Sequence, residues 1–379
     1  MSPRIESRRF AWRDPAARTF LAVHGYVVVH GVLDLTEREA ITAGWDAVTR
    51  EAADRVGLDP SELVERFPQN RDLWRKHARF ERLLFTGLQG EVARTFLGVS
   101  GVRLFHDHAI SKPAGRSGEI PWHQDSAYWP LDRVGLSLWT PTTDVGANGG
   151  CLEVLAGSHR DGPCEPQDFL AGTTPVVSGD RRRVALPVDA GETVVLNGLT
   201  WHRSAANRSA CNRLAYLTLW VPATARFVPE HAGWHPTAAH IAVAPGDRLD
   251  GDWFPLFGAL SADDEGQHIR FPLPPSRGGP SMFTASRDIA AQLCWLVGRS
   301  ESTLATIFAA CSVDQLALSA LARGVVIADQ LGELRDLLEA LVLQDRVRRE
   351  SVARDVYLRT VERWWVLAGT RIEEARRAP

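Results

Sequence analysis

The chain has 379 residues, 45 % hydrophobic and 23 % charged, which is enough apolar material for one large domain with an appended unit. A formal net charge of −3 offers no broad positive field, so no nucleic-acid partner is expected. No apolar run approaches the roughly 20 residues that span a bilayer, and residues 1–10 are polar and arginine-rich, unlike a secretory leader.

A turn at Gly25 precedes a short strand over 26–29. In the run Asp34-Leu35-Thr36-Glu37-Arg38-Glu39, Thr36 reads as a helix N-cap and Glu39 as its capping-box partner. Residues 73–97 keep helical spacing, with apolar positions suited to one side of a sheet. From Val102 the hydrophobic period changes to two. Runs at 102–112, 134–143, 151–155, 184–188, 193–196 and 214–221 are separated by Gly, Pro, Asp and Asn. Short strands punctuated in this way predict an α+β chain with a mainly β core, a jelly roll or double-stranded β-helix. No glycine-rich phosphate loop follows any of these strands, which removes support from nucleotide-binding α/β readings.

Residues 222–280 are rich in Pro, Gly, Asp and His and read as irregular. Helical patterns return at 286–297, 303–311, 313–323 and 330–361, the last with a stripe of Leu334, Leu337, Leu338, Leu341 and Leu343. The expected organisation is a β-core domain with N-terminal helices at 1–228. An irregular extension and candidate pocket wall follows at 229–280, then a helical unit at 281–379 that could act as a lid or pair two copies of the chain.

Chemistry concentrates in Pro121-Trp122-His123-Gln124-Asp125. In extended backbone, residues i and i+2 share a face, so His123 and Asp125 can chelate one metal while Gln124 turns away. A distant histidine would complete a two-histidine, one-carboxylate set, which suits iron(II) and leaves coordination positions open. Alone, the triplet also fits a loop histidine beside a helix-capping aspartate. The strand at 193–196 then delivers Trp201-His202-Arg203-Ser204, and Arg213 stands at the start of the next strand. An arginine there could lie across a ladder from the histidine and present a planar fork to a carboxylate. It could equally be one more exposed arginine in a chain whose only lysines are Lys76 and Lys112.

Taken in order, these segments resemble the phytanoyl-CoA dioxygenase family of iron and 2-oxoglutarate oxygenases, over about residues 20 to 225. The residues that carry the likeness begin with Gly25-Tyr26-Val27-Val28-Val29, Ser111-Lys112-Pro113-Ala114-Gly115, His123-Gln124-Asp125 and Trp139-Thr140. They continue with Asn148-Gly149-Gly150-Cys151-Leu152, Gly157-Ser158-His159-Arg160 and His202 through Arg213. The resemblance implies that His123, Asp125 and His202 hold iron(II), and that Arg213 pairs with the remote carboxylate of 2-oxoglutarate. Ser204, Trp139 and Lys112 fall at further cosubstrate contacts. Oxygen and 2-oxoglutarate would then be consumed with release of succinate and carbon dioxide, and a small-molecule substrate, a natural product among the candidates, would be oxidised. Because Asp125 keeps its carboxylate, hydroxylation or a related oxidation is implied over halogenation.

Several neighbours are candidate substrate contacts. His106 and His108 share a strand face with Ile110 and Lys112 by alternation, and Gln124, Trp122 and Trp201 flank the ligands. His159 reads as a loop stabiliser, and Arg181, Arg182 and Arg183 as a solvated turn or an anion site. The five cysteines, Cys151, Cys164, Cys211, Cys294 and Cys311, show no paired spacing, so a reduced, cytoplasmic protein is expected. Two other classes fit the ligand set alone: a cupin-like metal enzyme that needs no 2-oxoglutarate, and an inactive binding scaffold.

Overall fold

The computed structural model describes residues 4–56, 59–66, 69–115, 119–164, 175, 178–232 and 236–266. The expected helical unit at 281–379 lies outside the described residues. No described helix is long and apolar enough to cross a membrane.

The described strands are, in chain order, β1 (Arg4–Ile5), β2 (Phe10–Ala11), β3 (Tyr26–His30), β4 (Gln69–Arg71), β5 (Gly101–Lys112), β6 (Ile120–His123) and β7 (Leu136–Pro141). They continue with β8 (Leu152–Leu155), β9 (Arg183–Leu186), β10 (Thr193–Asn197), β11 (His202–Ser204), β12 (Arg213–Pro222) and β13 (Leu256–Gly258). One sheet has five strands in the order β1-β9-β8-β11-β6. The other has the order β13-β5-β12-β7-β10-β3-β2, with β4 added alongside β5. This is a mixed α+β architecture with two large sheets, consistent with the jelly-roll-like expectation. The major strands match the period-two runs to within a few residues.

The helices are α1 (Pro15–His24), α2 (Leu35–Val56), α3 (Pro60–Arg66), α4 (Leu73–Lys76), α5 (Ala78–Thr86), α6 (Gln89–Leu97) and α7 (Pro229–Ala232). The helical stretch expected at 73–97 is thus three helices. The cap of α2 also differs from expectation. Asp34 Oδ1 accepts from Glu37 N at 2.8 Å and Glu37 Oε2 accepts from Asp34 N at 2.8 Å, so the capping box sits two residues before Thr36 and Glu39. Asp34 wins because a carboxylate cap also gains from the positive helix end.

The core lies where α1, α2, α5 and α6 cover the larger sheet. Phe20, Trp45, Phe80, Leu84 and Phe96 meet Val27, Leu104, Leu138, Val194 and Tyr216 there. Both faces of β5 are buried along nearly its whole length, so it reads as an apolar run with polar insertions rather than a clean alternation. A second cluster joins Phe105, Trp129, Leu219 and Val221 to Leu249 and Phe254 of the expected irregular extension. That extension is less irregular than its composition suggests: β13 pairs with the start of β5, Phe257 opposite Val102.

Two glycines serve the region that carries the chemistry. Gly25 ends α1 at φ 80°, where a side chain would strike Thr200 Oγ1 and the His159 ring. Its carbonyl accepts from Thr200 Oγ1 at 2.6 Å, which pins the loop leading into β11. Gly198 sits against Ser126, where a Cβ would collide with the serine hydroxyl.

Candidate metal centre and cosubstrate site

β6 and β11 are antiparallel neighbours, and their register sets His202 directly opposite His123. The two imidazole centroids are 4.2 Å apart. Asp125 belongs to a short 3-10 turn, Asp125–Tyr128, that begins just beyond β6. Gln124 is still extended, with φ −117° and ψ 127°, so the alternation that brings His123 and Asp125 to one side persists past the strand end. Asp125 Oδ1 lies 3.5 Å from the Nε2 of each histidine. The three ligand atoms fall within 4.8 Å of one another.

Backbone carbonyls fix the tautomers. His123 Nδ1 donates to Pro121 O at 2.8 Å and His202 Nδ1 to Thr200 O at 2.9 Å. Each ring therefore turns Nε2 toward Asp125, the position from which it would meet a metal, with Nδ1 held by the backbone as in the usual outer-shell arrangement of ligating histidines. Asp125 is oriented in turn by Ser137, whose Oγ donates to Oδ2 at 2.5 Å. Burial pushes the Asp125 carboxyl up, but the His202 charge and the hydrogen bonds from both imidazoles outweigh it and hold the group well below the usual carboxylate range. Burial also lowers His123, whereas for His202 the Asp125 charge and hydrogen bond exceed the burial effect and raise it. The site keeps its carboxylate ionised, as a cation ligand must be.

The expected ladder between His202 and Arg213 is not the one that forms. β11 pairs with β6 and β8 in one sheet, whereas β12 pairs with β5 and β7 in the other, with Arg213 opposite Lys112. The two residues thus belong to different sheets, because the short β11 pairs within the smaller sheet before the chain crosses to β12. Lys112 spans that gap: its Nζ donates to Ser204 O at 3.0 Å and to Ala205 O at 2.6 Å. Ser204, on the same face of β11 as His202, donates its hydroxyl to Gly150 O at 2.9 Å.

Arg213 is 2 % exposed, and its guanidinium carbon lies 5.3 Å from the centroid of the Trp139 ring. Its Nε and Nη2 are buried without a hydrogen-bond partner. Burial pushes this guanidinium down to about 10. An unsatisfied buried fork of donors is costly unless an anion completes it, and a carboxylate has the matching planar geometry. Burial and then Arg213 depress Lys112 to about 7.

The model of the phytanoyl-CoA dioxygenase (PhyH) family matches residues 21–215. The chain belongs to this family. The rat peroxisomal phytanoyl-CoA dioxygenase (Rattus norvegicus) is 26 % identical over 223 residues, 51 % of this chain and 63 % of its own length. Zebrafish (Danio rerio) phytanoyl-CoA dioxygenase domain-containing protein 1 is 33 % identical over 133 residues, 30 % of this chain and 45 % of its own. The chain thus spans less than two thirds of either relative. Among solved structures, the non-haem α-ketoglutarate-dependent carbocyclase SnoK from nogalamycin biosynthesis aligns with a TM-score of 0.52 at 24 % identity, covering 66 % of this chain and 99 % of that one. That likeness is one of fold. The family uses iron(II), 2-oxoglutarate and oxygen, and the donor set here fits: two imidazoles and a carboxylate for the metal, and an unpaired buried arginine for a dicarboxylate.

Other expected contacts are redistributed. Gln124 is fully buried, and its amide binds Gly162 O (3.0 Å), Leu199 O (2.7 Å) and Cys164 N (2.7 Å), so it fastens the loops around the ligands. Trp122 lies on the opposite face of β6 from His123, with the Arg203 guanidinium 5.4 Å from its ring centroid. Trp201 is 1 % exposed, and its backbone is held by Ser158 Oγ and Leu155 N. Tyr128 is the aromatic beside the ligands, 6.3 Å from His123 between centroids. His159 accepts the loop role, its Nε2 3.1 Å from Ala22 O, while Arg181 pairs with Asp161 and Arg183 with Glu153. Ser137 went unnoticed in the sequence. Its signal was available: it is two residues before Trp139 on one strand and so shares its face.

Proposed function

We propose that this chain is an iron(II)- and 2-oxoglutarate-dependent oxygenase that hydroxylates, or otherwise oxidises, a small-molecule substrate. The observation that carries this reading is the pairing of two incomplete sites. His123, Asp125 and His202 converge as metal ligands, and Arg213 stands buried on the facing sheet with donors unfilled. Once bound, the metal, the keto acid and oxygen supply the oxidising chemistry, with succinate and carbon dioxide as coproducts.

The residues do the rest. His123 and His202 present Nε2 because their Nδ1 protons are spent on Pro121 and Thr200. Ser137 fixes the rotation of Asp125, and so which carboxylate oxygen faces the metal. Arg213 anchors the remote carboxylate, the Trp139 ring supports the guanidinium, and Lys112 locks β11 to the larger sheet beside it. With a metal bound, Asp125 would supply a carboxylate ligand where halogenation would call for a halide, which supports oxygenation over halogenation. A natural-product substrate, a cytoplasmic setting and pairing of two copies through residues 281–379 belong to the same proposal. Their support is the cysteine pattern and the leucine stripe of the sequence, together with SnoK's role in nogalamycin biosynthesis.

The test is succinate formation from 2-oxoglutarate under air, with iron(II) added or withheld. Succinate should require both additions and vanish in Asp125→Ala. Tight iron binding with no succinate, however long the incubation, would favour a metal enzyme that does not use 2-oxoglutarate.

A further inference from the structure

Of the three consecutive arginines that the sequence offers as a solvated turn or an anion site, two are already paired. Arg181 meets Asp161 at 2.6 Å and Arg183 meets Glu153 at 2.5 Å. Arg182 differs. It is exposed, its backbone carbonyl accepts from Ala156 N at 2.9 Å, and no carboxylate among the described residues pairs with its guanidinium. Arg182 stands just before β9, and β1 runs parallel to β9 with Arg4 opposite Val184. Arg4 is likewise exposed and without a carboxylate partner among the described residues.

Arg4, Ile5, Glu6, Ser7, Arg8 and Arg182 line one cleft of about 400 Å³. Glu6 is its buried acid, and that carboxylate is saturated with donors. Oε1 accepts from Ser7 N at 3.1 Å, Arg8 N at 3.0 Å and Arg8 Nε at 3.2 Å, and Oε2 from Arg8 Nη2 at 3.2 Å and Tyr26 Oη at 3.0 Å. Burial raises Glu6, yet these partners outweigh it and hold the carboxyl at about 2. The Arg8 guanidinium also rests 4.3 Å from the centroid of the Phe20 ring, so it is held from two sides. Three guanidiniums against one carboxylate leave a surplus of two positive charges in the cleft. Their field reaches His24, which burial and then Arg8, Arg182 and Arg160 lower, against Glu6. In the smaller sheet β1 is three strands from β11, roughly 14 Å at ordinary strand spacing, so the cleft stands apart from the metal ligands.

We propose that this cleft is a binding site for a phosphomonoester, a small organic molecule that carries a terminal phosphate dianion. The surplus of two charges matches the dianion. Arg4 and Arg182 offer planar forks, Arg8 is preorganised by Glu6 and Phe20, and Ser7 adds a hydroxyl; guanidinium forks suit phosphate oxygens. A monoanion would leave one positive charge uncompensated and fill fewer donors. Ile5, 47 % exposed, gives the organic part an apolar wall, and the volume suits a small ligand. The site stands independently of the oxygenase reading.

The experiment is calorimetric titration of the full chain at constant ionic strength, made up with chloride. The probes are inorganic phosphate, phenyl phosphate and phenyl sulfate, the last having the shape of phenyl phosphate with one charge fewer. Phenyl phosphate should bind saturably, no more weakly than inorganic phosphate and about tenfold tighter than phenyl sulfate. Arg182→Gln and Arg4→Gln should each weaken it about tenfold, the worth of one charge-assisted hydrogen bond. Arg82→Gln, which removes an equal charge from an exposed position of α5, should leave the affinity unchanged within about twofold. His24 gives a second readout by NMR: its titration midpoint should rise with phenyl phosphate, because the bound dianion offsets Arg8 and Arg182, and stay in place with chloride. No saturable binding of either phosphate, exclusion of phenyl phosphate by a site that takes inorganic phosphate, equal binding of phenyl phosphate and phenyl sulfate, or an affinity that survives Arg182→Gln overturns the proposal. Succinate formation is a separate measurement, so the oxygenase reading stands or falls apart from this one.

Discussion

Replacing Arg213 by Met separates the cost of a buried charge from its use. In the protein without cosubstrate, burial depresses the guanidinium from its ordinary value to about 10, a penalty of roughly 3 kcal/mol at neutral pH. The sign follows from the direction. A base whose folded pKa is lowered destabilises the fold wherever it is charged, and that cost fades only as pH rises through about 10. Met keeps an unbranched stem against Trp139 and removes the charge. The variant without cosubstrate should therefore match the parent in stability or exceed it, by up to about 3 kcal/mol.

Cosubstrate binding should move the opposite way. Two charge-assisted hydrogen bonds to a carboxylate, each worth about 1.5 kcal/mol at the low end, give about 3 kcal/mol, or roughly a hundredfold in Kd. Thermal melting with increasing 2-oxoglutarate reads both effects at once. At a concentration near 100 times the parent's Kd, the parent gains about 2.7 kcal/mol and the variant only about 0.4 kcal/mol. A variant that is destabilised without ligand, yet keeps a ligand-induced shift within a factor of three in affinity, would refute the reasoning, since Arg213 would then be structural.

Three further outcomes follow from named contacts. Ser137→Ala should lower iron(II) affinity about 10- to 100-fold in a calorimetric titration while the melting curve of the metal-free protein stays near that of the parent, because only the orientation of Asp125 is lost. Gln124→Leu should lower stability by about 2–4 kcal/mol in denaturant unfolding, since buried backbone groups of Gly162, Leu199 and Cys164 lose their partners. Asp107 is fully buried, and burial, against the Tyr216 hydrogen bond, raises it to about 7. An acid raised on folding costs stability as pH climbs from its unfolded value near 4 to about 7, so Asp107→Asn should flatten that part of the stability profile. An unchanged profile would mean that Asp107 stays ionised without penalty.

What the sequence revealed and what it concealed divide along one physical line. Alternation is local, so the face shared by His123 and Asp125 was readable, and it held even though β6 ends before Asp125. The strands β5, β7, β10 and β12 were readable for the same reason: their period-two runs are long and bounded by turn residues. Pairing partners are not local. His202 was expected beside Arg213, its near neighbour in sequence, yet each found its partner in a different sheet, His123 for one and Lys112 for the other. The same blindness hid Arg71. Gln69-Asn70-Arg71 is three polar residues with no periodicity, and it becomes a strand only because β5 offers an edge to it. Gln124 shows the converse: the sequence sets it beside the ligands, and the fold adds three backbone groups to which its amide is bound. The residues most easily missed in this fold are thus the short polar segments that the long strands recruit, as β5 recruits β4.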